Sequence, residues 1–314
     1  MAFSARVRAP WKIRNRTLAL GERTLVMGIL NVTPDSFSDG GAYQDARAAV
    51  RHALAMLDEG ADLIDIGGES TRPGSQPVTA QEEMDRVLPA MEALRRERPD
   101  CVISVDTWHA KTARAAVEAG AEIVNDVSGF TWDPEMAAAC AELGCGVVLM
   151  HTRGRPAEWK TLPRLAPEEI VPLVKDGLAQ SLAKAIGAGV DRERIVLDPG
   201  LGFGKAGDAN YALLAHLDEL LTLGQPLLAG VSRKSFLGQT IARSGTAAPV
   251  ELRGNATLAA TAAAILAGAS MVRVHEVRPA VEAVRIADAI LENVQGRSPS
   301  HAVARKDPRG LPSS

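Results

Sequence analysis

Polar and charged residues recur at, or just past, the ends of short apolar runs: Asn31, Glu69 to Arg72, Asp106, Asn125, His151, Asp198, Lys234, Arg273 and His275. Two chemical sets separate. Asp106, Asn125, Asp198 and Lys234 offer carboxylates, an amide and a cation. A flat heterocycle with mixed donors and acceptors needs that combination, and each charge-assisted bond to it is worth about 1.5–3 kcal/mol. Asn31, Arg72, Arg273 and His275 form the second set. Two guanidiniums and an imidazole suit a phosphate or pyrophosphate. Asn31 alternatively offers a hard oxygen to Mg²⁺ bridging phosphates. Each residue has a plainer reading when taken singly. Asp106 or Asp198 can cap a following helix, Asn125 can brace a turn, and His275 can be a satisfied rim histidine. Capping alone does not explain why nearly every run ends this way.

Three loops carry further chemistry. Met27 to Gly41 passes from an apolar run into Pro, Gly, Ser, Thr, Asn and Asp around one aromatic, Phe37. Loops this long in compact domains are usually functional or disordered. Gly202-Phe203-Gly204-Lys205, after Asp198-Pro199-Gly200, reads as a flexible loop with one aromatic. It lacks the longer spacing of a P-loop. Ser232 to Ser235 precedes Phe236-Leu237-Gly238. A helix starting there points N–H groups at a small carboxylate, or is simply N-capped by Ser232 or Ser235.

The elements that must position these groups repeat one unit. Apolar runs near residues 24–30, 62–66, 101–105, 122–124, 146–150, 194–197, 226–231 and 271–274 alternate with stretches of helical spacing. The runs are continuous rather than alternating, so both faces of each strand are buried. Eight such units in 314 residues fit a single α/β TIM (β/α)8 barrel, in which strand ends of one sense converge on one mouth. An open doubly wound sheet is the weaker alternative, because no GxGxxG opens a helix after a strand. The phrases Glu59-Gly60-Ala61, Ala119-Gly120-Ala121 and Ala267-Gly268-Ala269 mark one recurring helix-to-strand corner. Arg16 to Leu20 and Thr24 to Leu30 read as a short N-terminal hairpin whose second arm is the first core strand. Residues 1–13 are expected to be a flexible, solvated basic segment, 14–294 one barrel domain, and 295–314 a flexible tail.

Composition narrows the class. With 46% hydrophobic residues and a net charge of -3, the chain supports a large core and implies no broad basic surface for nucleic acid. Three cysteines without CxxC or Cys/His ligand spacing argue against a thiolate metal site and suit a reducing cytoplasm. Residues 256–272 form the longest uncharged stretch, short for a membrane span and interrupted at Gly268. A buried Ala-rich helix is expected there, and no signal peptide precedes Met27.

At this point the sequence resembles one family, the dihydropteroate synthases of folate biosynthesis. The matching blocks are MGILNVTPDSFSDGG from Met27, GADLIDIGGESTRPG from Gly60, SVDT from Ser104 and NDVSG from Asn125. Met150-His151, DPGLGFGK from Asp198, SRKSFLG from Ser232 and RVH from Arg273 follow in the family's order, so the likeness covers Leu25 to about Ala289. It implies a homodimeric barrel joining 6-hydroxymethyl-7,8-dihydropterin diphosphate to 4-aminobenzoate, releasing pyrophosphate. By the same likeness, Asp106, Asn125, Asp198 and Lys234 hold the pterin. Arg273 and His275, with Asn31 and Mg²⁺, hold the diphosphate. Asp35 and Phe37 lie in a first mobile loop, and Thr71, Arg72 and Pro73 in a second. With Phe203 and Ser235 these form the aminobenzoate pocket, where sulfonamides compete. Two departures stand out: Glu276, where the family often has Asp, and the basic segment Thr152-Arg153-Gly154-Arg155-Pro156.

The chemistry expected is loss of pyrophosphate from the pterin methylene to give a cation-like species, then attack by an amine that is already neutral. The carboxylates stabilise charge on the ring, and the loops exclude water. Two competitors remain. A methyltetrahydrofolate methyltransferase-like barrel has no use for the phosphate cluster, the SRKSF block or the two mobile loops. A non-catalytic binding paralogue is expected to lose Asn31, Asp35, Arg72 or Lys234, all of which are retained.

Overall fold

The computed structural model describes residues 3–33, 42–70, 77–243 and 245–294. Two short strands, β1 (Ala9–Lys12) and β2 (Thr17–Leu20), pair antiparallel. Eight parallel strands follow: β3 (Leu25–Asn31), β4 (Leu63–Gly67), β5 (Val102–Asp106), β6 (Ile123–Asp126), β7 (Gly146–Met150), β8 (Ile195–Asp198), β9 (Leu228–Ala229) and β10 (Met271–Val274). Their order is β8-β7-β6-β5-β4-β3-β10-β9. A parallel bridge between Leu197 and Leu227, with the Leu197 N–H donating to the Pro226 carbonyl at 3.0 Å, joins the two ends. The sheet is thus a TIM-like (β/α)8 barrel, as the unit count suggested.

Helices α1 (Ala42–Glu59), α2 (Ala80–Glu97), α3 (Ala110–Glu118), α4 (Met136–Leu143), α5 (Pro167–Gly187), α6 (Ala209–Ala215), α7 (Ser235–Thr240), α8 (Gly254–Leu266) and α9 (Val277–Val294) surround it. The three corner glycines share one conformation. Gly60, Gly120 and Gly268 have φ of 110°, 111° and 108°, where a side chain is strained, so each helix can turn straight into the next strand.

The barrel interior is layered. Met27, Leu63, Val102, Ile123, Val148, Val196, Leu228 and Met271 belong to one buried apolar cluster that forms the floor. Burying each such side chain is worth about 1.5–3 kcal/mol. Alternate residues of a strand face the same side. Two positions further along each strand stand Ile29, Asp65, Ser104, Asn125, Met150, Asp198, Gly230 and Arg273. One step up from an oily floor, the interior turns polar and titratable.

The hairpin and the basic N-terminus differ from expectation. β2 pairs with β1, not with β3. Trp11, Ile13 and Leu20 are buried against the floor cluster, so the hairpin plugs the barrel's amino-terminal end. Gly146 leaves room for this plug: a Cβ there would lie 2.7 Å from Ile13 and 3.3 Å from Trp11. The basic residues are clamps rather than a solvated arm. Arg16 pairs with the buried Glu122 at 3.0 Å, and Arg6 pairs with Asp288. The stretch expected as one strand over 226–231 has a regular ladder only at Leu228 and Ala229, with Leu227 joined to Leu197 by an isolated bridge and Pro226 offering a carbonyl but no N–H. The stretch of helical spacing expected between the runs at 194–197 and 226–231 divides into α6 and a 3-10 helix, Leu217–Leu223.

Candidate active site

The carboxyl ends of the strands surround an open cavity. It is lined by Ile29, Asn125, Val127, Met150, Asp198, Phe203, Gly230, Ser232, Lys234, Arg273 and His275. Residues as far apart in the chain as Ile29 and His275 share it because parallel strands all end at one rim. Of the ring-holding set, Asn125, Asp198 and Lys234 line the cavity directly. Asp106 joins through Arg273, whose Nη2 donates to Asp106 Oδ2 at 2.6 Å.

Arg273 is held from a second side. Its Nε donates to Asp65 Oδ2 at 2.6 Å, and Asn125 Nδ2 donates to the same oxygen at 2.9 Å. Asp65 is fully buried in the middle of β4 and was not singled out from the sequence. It ties an intended phosphate binder to an intended ring binder. Its partners leave Arg273 Nη1 without a described acceptor, available to a substrate oxygen.

The DPGLGFGK segment explains itself in the structure. Gly200 adopts φ 64°, which turns its N–H back to donate to Asp198 Oδ1 at 2.7 Å. Any Cβ at Gly200 would collide with the His151 carbonyl oxygen. Lys205, expected to belong to a flexible loop, instead clamps it. Its buried ammonium donates to the carbonyls of Gly200, His151 and Phe203 at 2.7, 3.0 and 3.2 Å. Phe203 is thereby fixed at the cavity wall, and Lys234 Nζ sits 3.7 Å from its ring centroid, a cation–π contact. Gly202 allows this approach, since a Cβ there would meet Lys234 Cδ at 3.1 Å.

Ser232 is not an N-cap. His275 donates its backbone N–H to Ser232 Oγ at 3.2 Å, and the hydroxyl lies 2.9 Å from His275 Nδ1. A hydroxyl that already accepts the backbone N–H still has its own proton to offer Nδ1, and in that arrangement the imidazole proton sits on Nε2. Between Ser232 and Lys234, Arg233 takes φ 59°, rare for a residue with a side chain. Its N–H donates to Thr257 Oγ1 at 3.0 Å, and its guanidinium pairs with Glu276 at 2.6 Å. The unusual Glu276 thus helps hold a strained residue beside Lys234. Ser235 opens the short α7 and is exposed at the rim, outside the cavity lining.

Burial sets the electrostatics. It pushes the Asp198 carboxyl up to about 6, against the pull of the Gly200 N–H and Lys234. It pushes Asp106 up to about 7, opposed by Arg273 and reinforced by Asp65. It lowers Lys234 to about 7, with Arg273 adding repulsion. The Arg273 guanidinium stays charged, held by Asp65 and Asp106 despite its burial. His151 is not part of this set: burial, then Lys205 and Arg153, take its imidazole down to about 2 and keep it neutral.

Asn31 ends β3 and is half-buried at the rim, next to Gly67 of β4. Its amide makes no hydrogen bond to a described side chain. Asp35, Phe37, Thr71, Arg72 and Pro73 lie outside the described residues.

The family profile described as pterin binding enzyme matches residues 27–275. A dihydropteroate synthase of Synechocystis sp. is 44% identical over 270 residues, covering 86% of this chain and 91% of the relative. A Xanthomonas albilineans dihydropteroate synthase solved with 4-aminobenzoic acid superposes with a TM-score of 0.82 at 42% identity, covering 90% of this chain and 98% of that one. The same organism's enzyme in complex with 7,8-dihydropteroate gives a TM-score of 0.77 at 41% identity, covering 88% and 97%. Matched by that profile from the first barrel strand to the last, and folded as those relatives are, the chain belongs to the dihydropteroate synthases of the pterin-binding enzyme family.

Proposed function

We propose that this chain condenses 6-hydroxymethyl-7,8-dihydropterin diphosphate with 4-aminobenzoate, forming 7,8-dihydropteroate and pyrophosphate. The observation that carries this reading is the convergence of Asn125, Asp198, Lys234, Arg273 and His275 on one cavity. Relatives solved with 4-aminobenzoic acid and with 7,8-dihydropteroate support it.

Each residue has a task that follows from its chemistry. The Asp198 carboxylate and the Asn125 amide pair with the N–H edge of the pterin, and Lys234 donates to the ring's carbonyl side. The bond from the pterin methylene carbon to the diphosphate oxygen breaks, and its electron pair leaves with pyrophosphate. The ring, gripped by ionised carboxylates, bears the positive charge that develops. The aryl amine is neutral at pH 7, so its lone pair attacks that carbon without a general base, and the nitrogen then loses a proton. Arg273 and the Nε2–H of His275 face the departing oxygens. Asp35, Arg72 and Thr71 are proposed to act from the two loops, closing over the site to exclude water.

Asn31 fits Mg²⁺. Its amide would offer one hard oxygen at the rim to a cation that takes oxygen ligands and keeps several waters when it binds substrate phosphates. When bound, the ion supplies charge neutralisation for the diphosphate. The proposal extends to a homodimer in the cytoplasm. Exposed Leu252, Ile286 and Val294, at 67%, 66% and 56%, support a covered face, and the three free cysteines suit a reducing compartment. Among the described residues no helix is long and apolar enough to cross a membrane.

The test is direct. The purified chain is mixed with the pterin diphosphate and Mg²⁺, with and without 4-aminobenzoate, and pyrophosphate is followed. Release that depends on the amine supports the assignment. Release that ignores it, or none, contradicts it.

A further inference from the structure

Beside the pterin cavity lies a second cluster that the transfer reaction leaves unused. Glu69 follows β4, Glu83 lies in the first turn of α2, and His109 directly precedes α3. One ligand atom from each lies within 4.8 Å of the others. Three separate segments are therefore folded onto one point. The capping box of α2 fixes one of them: the Glu82 N–H donates to Thr79 Oγ1 at 3.2 Å, and the Thr79 N–H donates to Glu82 Oε2 at 2.8 Å.

Glu83 is fully buried. Its Oε2 accepts from Thr107 Oγ1 at 2.6 Å and lies 3.1 Å from His109 Nδ1. Its Oε1, equally buried, has no hydrogen-bond partner among the described residues. A plain Glu83–His109 ion pair accounts for the first oxygen only. It leaves the second orphaned, which is costly in a buried carboxylate, and it leaves Glu69 facing a like charge. A divalent cation satisfies all three groups at once. One imidazole nitrogen with two carboxylates is a donor set for zinc or manganese rather than for calcium or magnesium, which prefer oxygen alone. Thr107, on Glu83, and the Trp108 indole N–H, donating to Glu69 Oε2 at 2.9 Å, orient the ligands from behind.

We propose that Glu69, Glu83 and His109 form a binding site for a transition-series divalent cation of the zinc or manganese class, separate from the Mg²⁺ assigned to the diphosphate. Gly67 and Asp106 are paired at the ends of β4 and β5. The cation therefore bridges the exits of two strands whose Asp65 and Asp106 grip Arg273.

The full chain, stripped with chelator, is titrated by calorimetry with zinc chloride and, separately, manganese chloride, without pterin. At least one of the two cations is expected to bind at one equivalent. His109→Gln and Glu69→Gln are each expected to weaken that binding at least tenfold, as is Glu83→Gln where its melting temperature shows it folded. Bound manganese should show imidazole nitrogen modulation in its electron spin echo, lost in His109→Gln. No stoichiometric binding of either cation overturns the proposal. So does binding that is unchanged in Glu69→Gln and His109→Gln, both of which alter partly exposed residues. Because the readout is metal binding alone, the outcome is independent of whether the transferase reading holds.

Discussion

Replacing Asp65 by Ala removes the acceptor that holds Arg273 Nε at 2.6 Å and Asn125 Nδ2 at 2.9 Å. Arg273 keeps Asp106, so its charge is still answered, but it gains freedom to swing, and Asn125 loses its brace. If the misplacement costs one charge-assisted bond in the transition state, about 1.5–3 kcal/mol, kcat/KM for the pterin diphosphate falls about 10- to 150-fold. Asp65→Asn separates geometry from charge. Its amide oxygen can stand where Oδ2 stood and accept both donors, and its NH2 replaces an Oδ1 that has no partner among the described residues. Asn is therefore expected to recover kcat/KM to within about tenfold of the parent. Steady-state rates of amine-dependent pyrophosphate release give the ratio, and melting temperatures confirm that each variant is folded. If a folded Asp65→Ala stays within about threefold of the parent, or if Asn is no better than Ala, Asp65 does not position the site.

Pterin affinity should have an optimum between about pH 6 and 7. Below it Asp198, raised to about 6, takes up a proton and stops accepting from the ring. Above it Lys234, lowered to about 7, loses its charge. Calorimetric titration with a pterin should show about a tenfold loss per unit on each limb, and a flat profile contradicts the roles given to both groups. Lys205→Met strips three carbonyls of their shared donor, offset in part by no longer burying an ammonium; a net cost of about 2–4 kcal/mol lowers Tm by roughly 3–6 °C. An unchanged Tm means the loop does not need its clamp. Phe203→Ala removes a wall of the cavity and the face under Lys234. KM for 4-aminobenzoate is expected to rise about tenfold, with pterin affinity changed much less, and the reverse pattern places the amine elsewhere.

Much of this was legible before any coordinates. The strand ends betrayed themselves because capping or turn bracing accounts for Asp106, Asn125 or Asp198 singly, but not for polar groups at or near the ends of nearly all the buried parallel strands. The corner glycines at 60, 120 and 268 were equally plain, since only a positive φ repeats that phrase. Asp65 was missed because Leu63-Ile64-Asp65-Ile66 looks like a uniform apolar run when both faces are buried. The signal was the period of two: Asp65 stands two positions above a floor residue, as Asn125, Asp198 and Arg273 do above theirs. The hairpin was misplaced because Thr17–Leu20 suits either neighbour, and only the fit of Trp11 and Ile13 beneath Gly146 decides for β1. The stiffness of the Gly202–Lys205 loop was hidden because glycines signal freedom locally. A buried lysine that gathers three carbonyls is a tertiary fact.

A crystal of this chain soaked with 7,8-dihydropteroate tests the central claim most directly. The account predicts the pterin ring inside the strand-end cavity, its N–H edge within about 3 Å of Asp198 and Asn125, with Lys234 on its carbonyl side. A ring bound outside that cavity, or turned with its N–H edge away from Asp198, contradicts it.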